Sequence, residues 1–190
     1  MKKILSFLVL SLFLANSAHA QDIGTMFANF TASSEAIIKL VQAVSIIIGV
    51  YLVIGSIFKF VQLDRGQIGL KTPLIMFLSG IGIFALSGSI AVVTQTMAMG
   101  NGPGNILLPN SSKMSAHTSA ALLGVLTFIR MVGYIAFVRG WLLINQHAQG
   151  KEGTLGRGLT HIFGGVAAIN VVVTAKILAN TFAPGLPLPI

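Results

Sequence analysis

The stretch that decides the fold is Ala36-Ile37-Ile38-Lys39-Leu40-Val41-Gln42-Ala43-Val44-Ser45-Ile46-Ile47-Ile48-Gly49-Val50-Tyr51-Leu52-Val53-Ile54-Gly55-Ser56-Ile57-Phe58-Lys59-Phe60. Wound as an α-helix, a block of this length is on the order of 36 Å long, enough to cross the roughly 30 Å hydrocarbon core of a bilayer with some tilt. Three further blocks of similar length follow: Pro73 to Met97, Ser119 to Leu143 and Leu159 to Phe182. The sequence therefore predicts an all-α integral membrane protein with four transmembrane helices.

Composition agrees. Hydrophobic residues make up 54% of the 190 and charged residues only 8%, against about 25% charged in an average soluble domain. So few charges do not cover a water-facing surface. There is no cysteine, which excludes disulfides, thiolate catalysis and cysteine metal sites. The formal charge of +8 would point to nucleic acid in a soluble protein. Here the bases lie singly between apolar blocks. Topology signals and lipid headgroups explain them better, and no direct nucleic-acid binding is expected.

Residues 1–20 read as a cleaved signal peptide. Lys2 and Lys3 form a basic start, Ile4 to Ala15 an apolar run too short to span comfortably, and Ala18-His19-Ala20 an A-x-A site. The mature chain is then expected to begin at Gln21 with its N-terminus outside. Removing Lys2 and Lys3 from the twelve bases leaves ten against four acids, a mature charge of +6.

With that start, the turn from Phe60 to Thr72 faces the cytoplasm with Arg65 and Lys71, and Lys59 at its edge. The turn from Ile144 to Gly158 faces it too, with Lys151 and Arg157, and Arg139 near its entry. The outer segment 98–118 carries Lys113 alone. This distribution follows the positive-inside rule. The chain thus divides into a first hairpin (21–97), an exposed outer loop (98–118) rich in Gly, Asn, Ser and Pro, a second hairpin (119–183) and a Pro-rich tail (184–190). Both mature termini are expected on the outer side of the membrane.

A slide of 84 residues brings Gly49 onto Gly133, Gln62 onto Gln146, Gly66 onto Gly150, Gly69 onto Gly153 and Gly80 onto Gly164. A small insertion then brings Lys71 beside Arg157. Both halves read as apolar helix, glycine-rich basic turn, apolar helix. Both start from the same side, the pattern of a parallel tandem repeat.

Few residues carry chemistry. Arg130 lies halfway along the third segment, where an arginine is costly and a functional candidate by default. A partner subunit's carboxylate, a phospholipid phosphate, or snorkelling to the interface would each satisfy it. Its own chain offers no carboxylate at that depth, the mature acids being Asp22, Glu35, Asp64 and Glu152. Lys176 sits nearer the outer end, where snorkelling suffices. Lys59, Arg65, Lys71, Arg139, Lys151 and Arg157 are candidates for contact with headgroups or a cytoplasmic partner. Small residues mark close helix packing: Gly80 and Gly88 on one face of the second segment, and Gly164, Ala168, Ala175, Ala179 and Ala183 spaced along the fourth. His117, His147 and His161 have no carboxylate companions at metal-ligand spacing, so no metal or other cofactor is expected. The glycine-lysine run at 150–158 lacks the phosphate-loop order. An enzyme is not indicated.

The run Gly150-Lys151-Glu152-Gly153-Thr154-Leu155-Gly156-Arg157-Gly158-Leu159-Thr160-His161-Ile162-Phe163-Gly164-Gly165-Val166-Ala167-Ala168-Ile169-Asn170 resembles the IcmC/DotE family of type IVB (Dot/Icm) secretion systems and the related TraQ proteins of IncI-type conjugation. Signal, length and hairpin count agree with it. The resemblance implies a pilin-like structural subunit of a secretion or conjugative transfer apparatus in a bacterial inner membrane, with both mature termini in the periplasm. Its implied partners are membrane lipids, other subunits of that complex and further copies of itself. The rival class is a small channel or transporter with Arg130 lining an anion path.

Overall fold

The computed structural model describes residues 23–97, 99 and 115–182, and within them every regular element is an α-helix. The signal segment, nearly all of the outer loop, Ala183 and the Pro-rich tail lie outside the described residues. The helices are α1 (Ile23–Asp64), α2 (Lys71–Phe84), α3 (Leu86–Thr96), α4 (Ala116–Ala148), α5 (Thr154–Ile169) and α6 (Val171–Phe182).

Helix is the natural outcome for these residues. An apolar block in lipid has no water for its peptide groups, so each block must satisfy them within itself. The β-branched residues of α1, which weaken helices in water, do not alter that requirement. Two helices, α1 and α4, are long and apolar enough to cross a membrane without interruption. Two bent pairs, α2 with α3 and α5 with α6, pass the same test when each is taken as one span.

This corrects the expectation of four plain helices. The second segment breaks at Ala85 and bends by 99°, and the fourth breaks at Asn170 and bends by 97°. Neither Gly nor Pro stands at either break, which is why the sequence did not announce them. The two breaks share one geometry. Ala85 has φ −90° and ψ 49°, and Asn170 has φ −104° and ψ 40°. Each donates its backbone N–H four residues back, Ala85 to Ile81 and Asn170 to Val166. Four residues beyond each break a hydroxyl reaches back into the preceding helix. Ser89 Oγ donates to the Gly82 carbonyl at 2.6 Å, and Thr174 Oγ1 to the Ala167 carbonyl at 2.8 Å. A carbonyl freed by the break thus regains a partner, as a broken helix in lipid requires.

The hairpin turns are also alike. Gly66 donates to Leu63 and Gln67 to Gln62; Gly150 donates to His147 and Lys151 to Gln146. This pairing is a Schellman cap, whose left-handed position favours glycine. Gly66 has φ 68° and Gly150 φ 91°.

Glycine lets the helices within each hairpin approach closely. A Cβ at Gly49 would lie 2.5 Å from the Phe84 nitrogen, and one at Gly133 2.8 Å from the Ile169 nitrogen. Gly80 abuts Val53 and Gly49, and Gly165 abuts Phe137 and Gly133. The halves therefore correspond at a spacing of 84 up to the turn and 85 beyond it. The structural counterpart of Gly80 is Gly165, one residue past the expected Gly164. The core lies where the hairpins meet, around Leu52, Ile83, Ile90, Phe137, Val166 and Ile169.

Candidate functional site

The polar groups worth following lie where α1 meets α4. These helices run in the same direction. A Cβ at Gly124 would touch Phe27, the rings of Phe30 and Phe128 lie 5.7 Å apart, and further along Ile135 to Leu142 face Leu40 to Ile48. The parallel sense expected of the repeat follows from this progression.

Arg130 sits in this groove with Glu35, Ile38, Lys39, Gln42 and Tyr134, around a volume of about 250 Å³. The expectation that the chain has no carboxylate at the level of Arg130 does not hold. It assumed that the first helix starts at Ala36, whereas α1 starts at Ile23 and carries Glu35 down beside Arg130. The Arg130 Nε is buried without a hydrogen-bond partner. Lys39 and Gln42 also belong to this cluster, and the sequence reading singled out neither. The signal available for them was helical spacing, since 35, 39 and 42 fall on one face of a helix.

Next along the groove the lining turns apolar. Leu40, Val41, Val44, Ser45, Ile48, Ile135, Val138 and Leu142 surround a further volume of about 310 Å³, with Arg139 among them. Arg139, expected near the cytoplasmic turn, thus lies beside the apolar stretch of α1, nine residues before α4 ends at Ala148.

The remaining basic candidates gather toward the turns. Thr72 Oγ1 donates to the Ala148 carbonyl at 2.9 Å, joining the two hairpin ends. Beside it Lys71 Nζ lies 3.5 Å from His147 Nε2. Lys59 Nζ donates to Gln62 Oε1 at 3.0 Å. Arg65, Lys151 and Arg157 are exposed. His161 Nδ1 lies 2.8 Å from the Arg157 carbonyl oxygen. His117 is exposed in the first turn of α4. Among the described residues no group of three His, Asp or Glu is placed to hold a metal.

The small-residue faces are redistributed. Gly80 packs closely, but Gly88 lies beyond the break and a Cβ there would meet open space, so the two do not form one face. Gly164 is exposed and also open. Ala168 is half-buried at the end of α5. Ala175, Ala179 and Lys176 belong to α6, which has no buried residue. The bend at Asn170 therefore divides the expected stripe.

No family model matches the chain, and no curated protein or solved structure matches it either.

Proposed function

We propose that this chain is a non-enzymatic, pilin-like structural subunit of a type IVB secretion or conjugative transfer apparatus in a bacterial inner membrane. The doubled hairpin carries this reading. Each half is an apolar helix, a Schellman-capped basic turn and a return helix, which is the build of a small pilin-type unit repeated in one chain. The resemblance of residues 150–170 to the IcmC/DotE family supports the same class. Shape does not by itself give function, so the assignment rests on the two together.

In this reading residues 1–20 are removed and the chain crosses inward along α1. Because α4 runs parallel to α1, the first bent pair must return the chain to the starting face if both long helices span. At about 1.5 Å per residue, α2 reaches on the order of 21 Å and α5 about 24 Å, most of a crossing of roughly 30 Å, and α3 and α6, turned by 99° and 97°, lie near the membrane plane at its far side. The second pair, crossing likewise, leaves the C-terminus outside. Large apolar side chains on the outside of α1, such as Ile47, Tyr51 and Phe58, then face lipid or neighbouring subunits. The basic turns, with Arg65, Lys71, Lys151 and Arg157, face cytoplasmic headgroups or partners.

The polar groove favours a second reading, a small channel or transporter with Arg130 on an anion path. That groove lies on the surface between α1 and α4, so such a path would need a second subunit to close it. Affinity purification of the tagged chain from native membranes separates the two. Recovery with subunits of a secretion or conjugation complex supports the first, and anion flux in liposomes holding the purified chain alone supports the second.

A further inference from the structure

We propose that the groove between α1 and α4 binds one anionic phospholipid, with its phosphate at Arg130 and Lys39 and an acyl chain along the apolar part. Lys39 and Lys59 bracket the apolar core of α1 and are twenty residues apart, about 30 Å of helix, which matches the hydrocarbon thickness. Lys39 therefore stands at one membrane face, and Arg130 stands beside it. From Lys39 toward Ile48 the groove runs into the acyl layer, and there its lining is apolar apart from Ser45 and Arg139.

The order of the two parts is that of a lipid: polar at the headgroup level, apolar below. At the headgroup level Arg130 and Lys39 against Glu35 leave one positive charge, which suits a headgroup of one negative charge; Arg139 lies further along the groove. Arg130 Nε is buried with no partner, a donor whose desolvation is uncompensated until an acceptor arrives. Guanidinium meets phosphate oxygens with two parallel hydrogen bonds, a geometry that lysine lacks. Gln42 and Tyr134 also line the same volume. Val44 and Ile135, both exposed on the groove walls, offer the surface an acyl chain would cover.

The test uses the full chain in mild detergent, with binding read by native mass spectrometry and thermal shift. The probes are phosphatidylglycerol, phosphatidylcholine and inorganic phosphate. The proposal expects phosphatidylglycerol to bind one per chain and raise the melting temperature, phosphatidylcholine to do so less, and free phosphate to do neither. Arg130→Gln should weaken phosphatidylglycerol roughly tenfold, about 1.4 kcal/mol. Val44→Trp, which keeps every charge and fills an exposed wall, should weaken it as well. Val92→Trp, the same kind of change at an exposed residue of α3 away from the groove, should leave it unchanged. Equal binding by wild type, Arg130→Gln and Val44→Trp would overturn the proposal. So would stabilisation by inorganic phosphate alone, which would make the site an anion site without a lipid tail.

Discussion

Asn170 Nδ2 donates to Thr94 Oγ1 at 3.1 Å, with both side chains buried, and so fastens the break of the second hairpin to the helix beyond the break of the first. The same amide donates to the Val166 carbonyl at 3.1 Å within its own helix. One side chain thus serves the bend and the joint between the halves. Polar bonds of this kind in membrane bundles contribute about 0.6 kcal/mol on average and up to about 1.7. A double-mutant cycle of Asn170→Ala and Thr94→Val, read by thermal unfolding in detergent, should give a coupling of about 1 kcal/mol. Simple additivity would mean the two side chains act independently.

The breaks themselves make a second prediction. Ser89 and Thr174 hold the Gly82 and Ala167 carbonyls across the bends. Ser89→Ala and Thr174→Val should each leave such a carbonyl without its partner, at a cost of about 1 to 3 kcal/mol. Each should also let the bend relax, measurable as a changed spin-label distance between α2 and α3 or between α5 and α6. An unchanged distance and unchanged stability would show that the hydroxyls follow the bends and do not maintain them.

Neighbouring glycines in α5 should respond in opposite ways. Gly165 abuts the Phe137 backbone, whereas Gly164 faces open space. Gly165→Leu should separate α4 from α5 and lower abundance, since overpacking of this kind costs about 1 to 3 kcal/mol or more. Gly164→Leu should leave the chain folded at wild-type abundance. If the Gly164 face joins subunits, that variant should lose its complex on native gels; if it faces lipid, the complex should persist.

Orientation is open to direct labelling because the chain has no cysteine of its own. Single cysteines at Ser111 and Gln149 should react from opposite sides of the membrane, and mass spectrometry of the mature chain should give Gln21 as its first residue. Reaction of both cysteines from outside would contradict the topology.

The helices and their pairing were legible in the sequence because both rest on long-range composition. Apolar blocks of spanning length need lipid, and the glycine-rich basic turns around Gly66 and Gly150 mark where each hairpin reverses. The bends were not legible. Breaks usually carry Gly or Pro, and here they fall at Ala85 and Asn170, held by Ser89 and Thr174, residues common in any apolar helix. Gly164 was chosen over Gly165 because a fixed slide of 84 misses the extra residue in the second turn. The groove was half legible. Arg130 stood out as a charge inside an apolar block, but Glu35 was set aside because the start of α1 was drawn one residue after it, and Lys39, inside the drawn block, was passed over. A helix continues past that edge at no cost when its polar residues reach water or headgroups, so hydropathy alone shortens it.

The central claim is that this chain works as a built-in part of a larger envelope machine, and one measurement addresses it most directly. The full-length tagged chain would be expressed at native level, extracted in mild detergent without crosslinker, and its complex analysed by native gel and mass spectrometry. The account predicts a high-mass assembly holding this chain with secretion or conjugation subunits, lost in an Arg130→Leu variant that still inserts at normal abundance if Arg130 contributes to assembly. Recovery of the wild-type chain alone as a monomer, with anion flux when reconstituted, would contradict it.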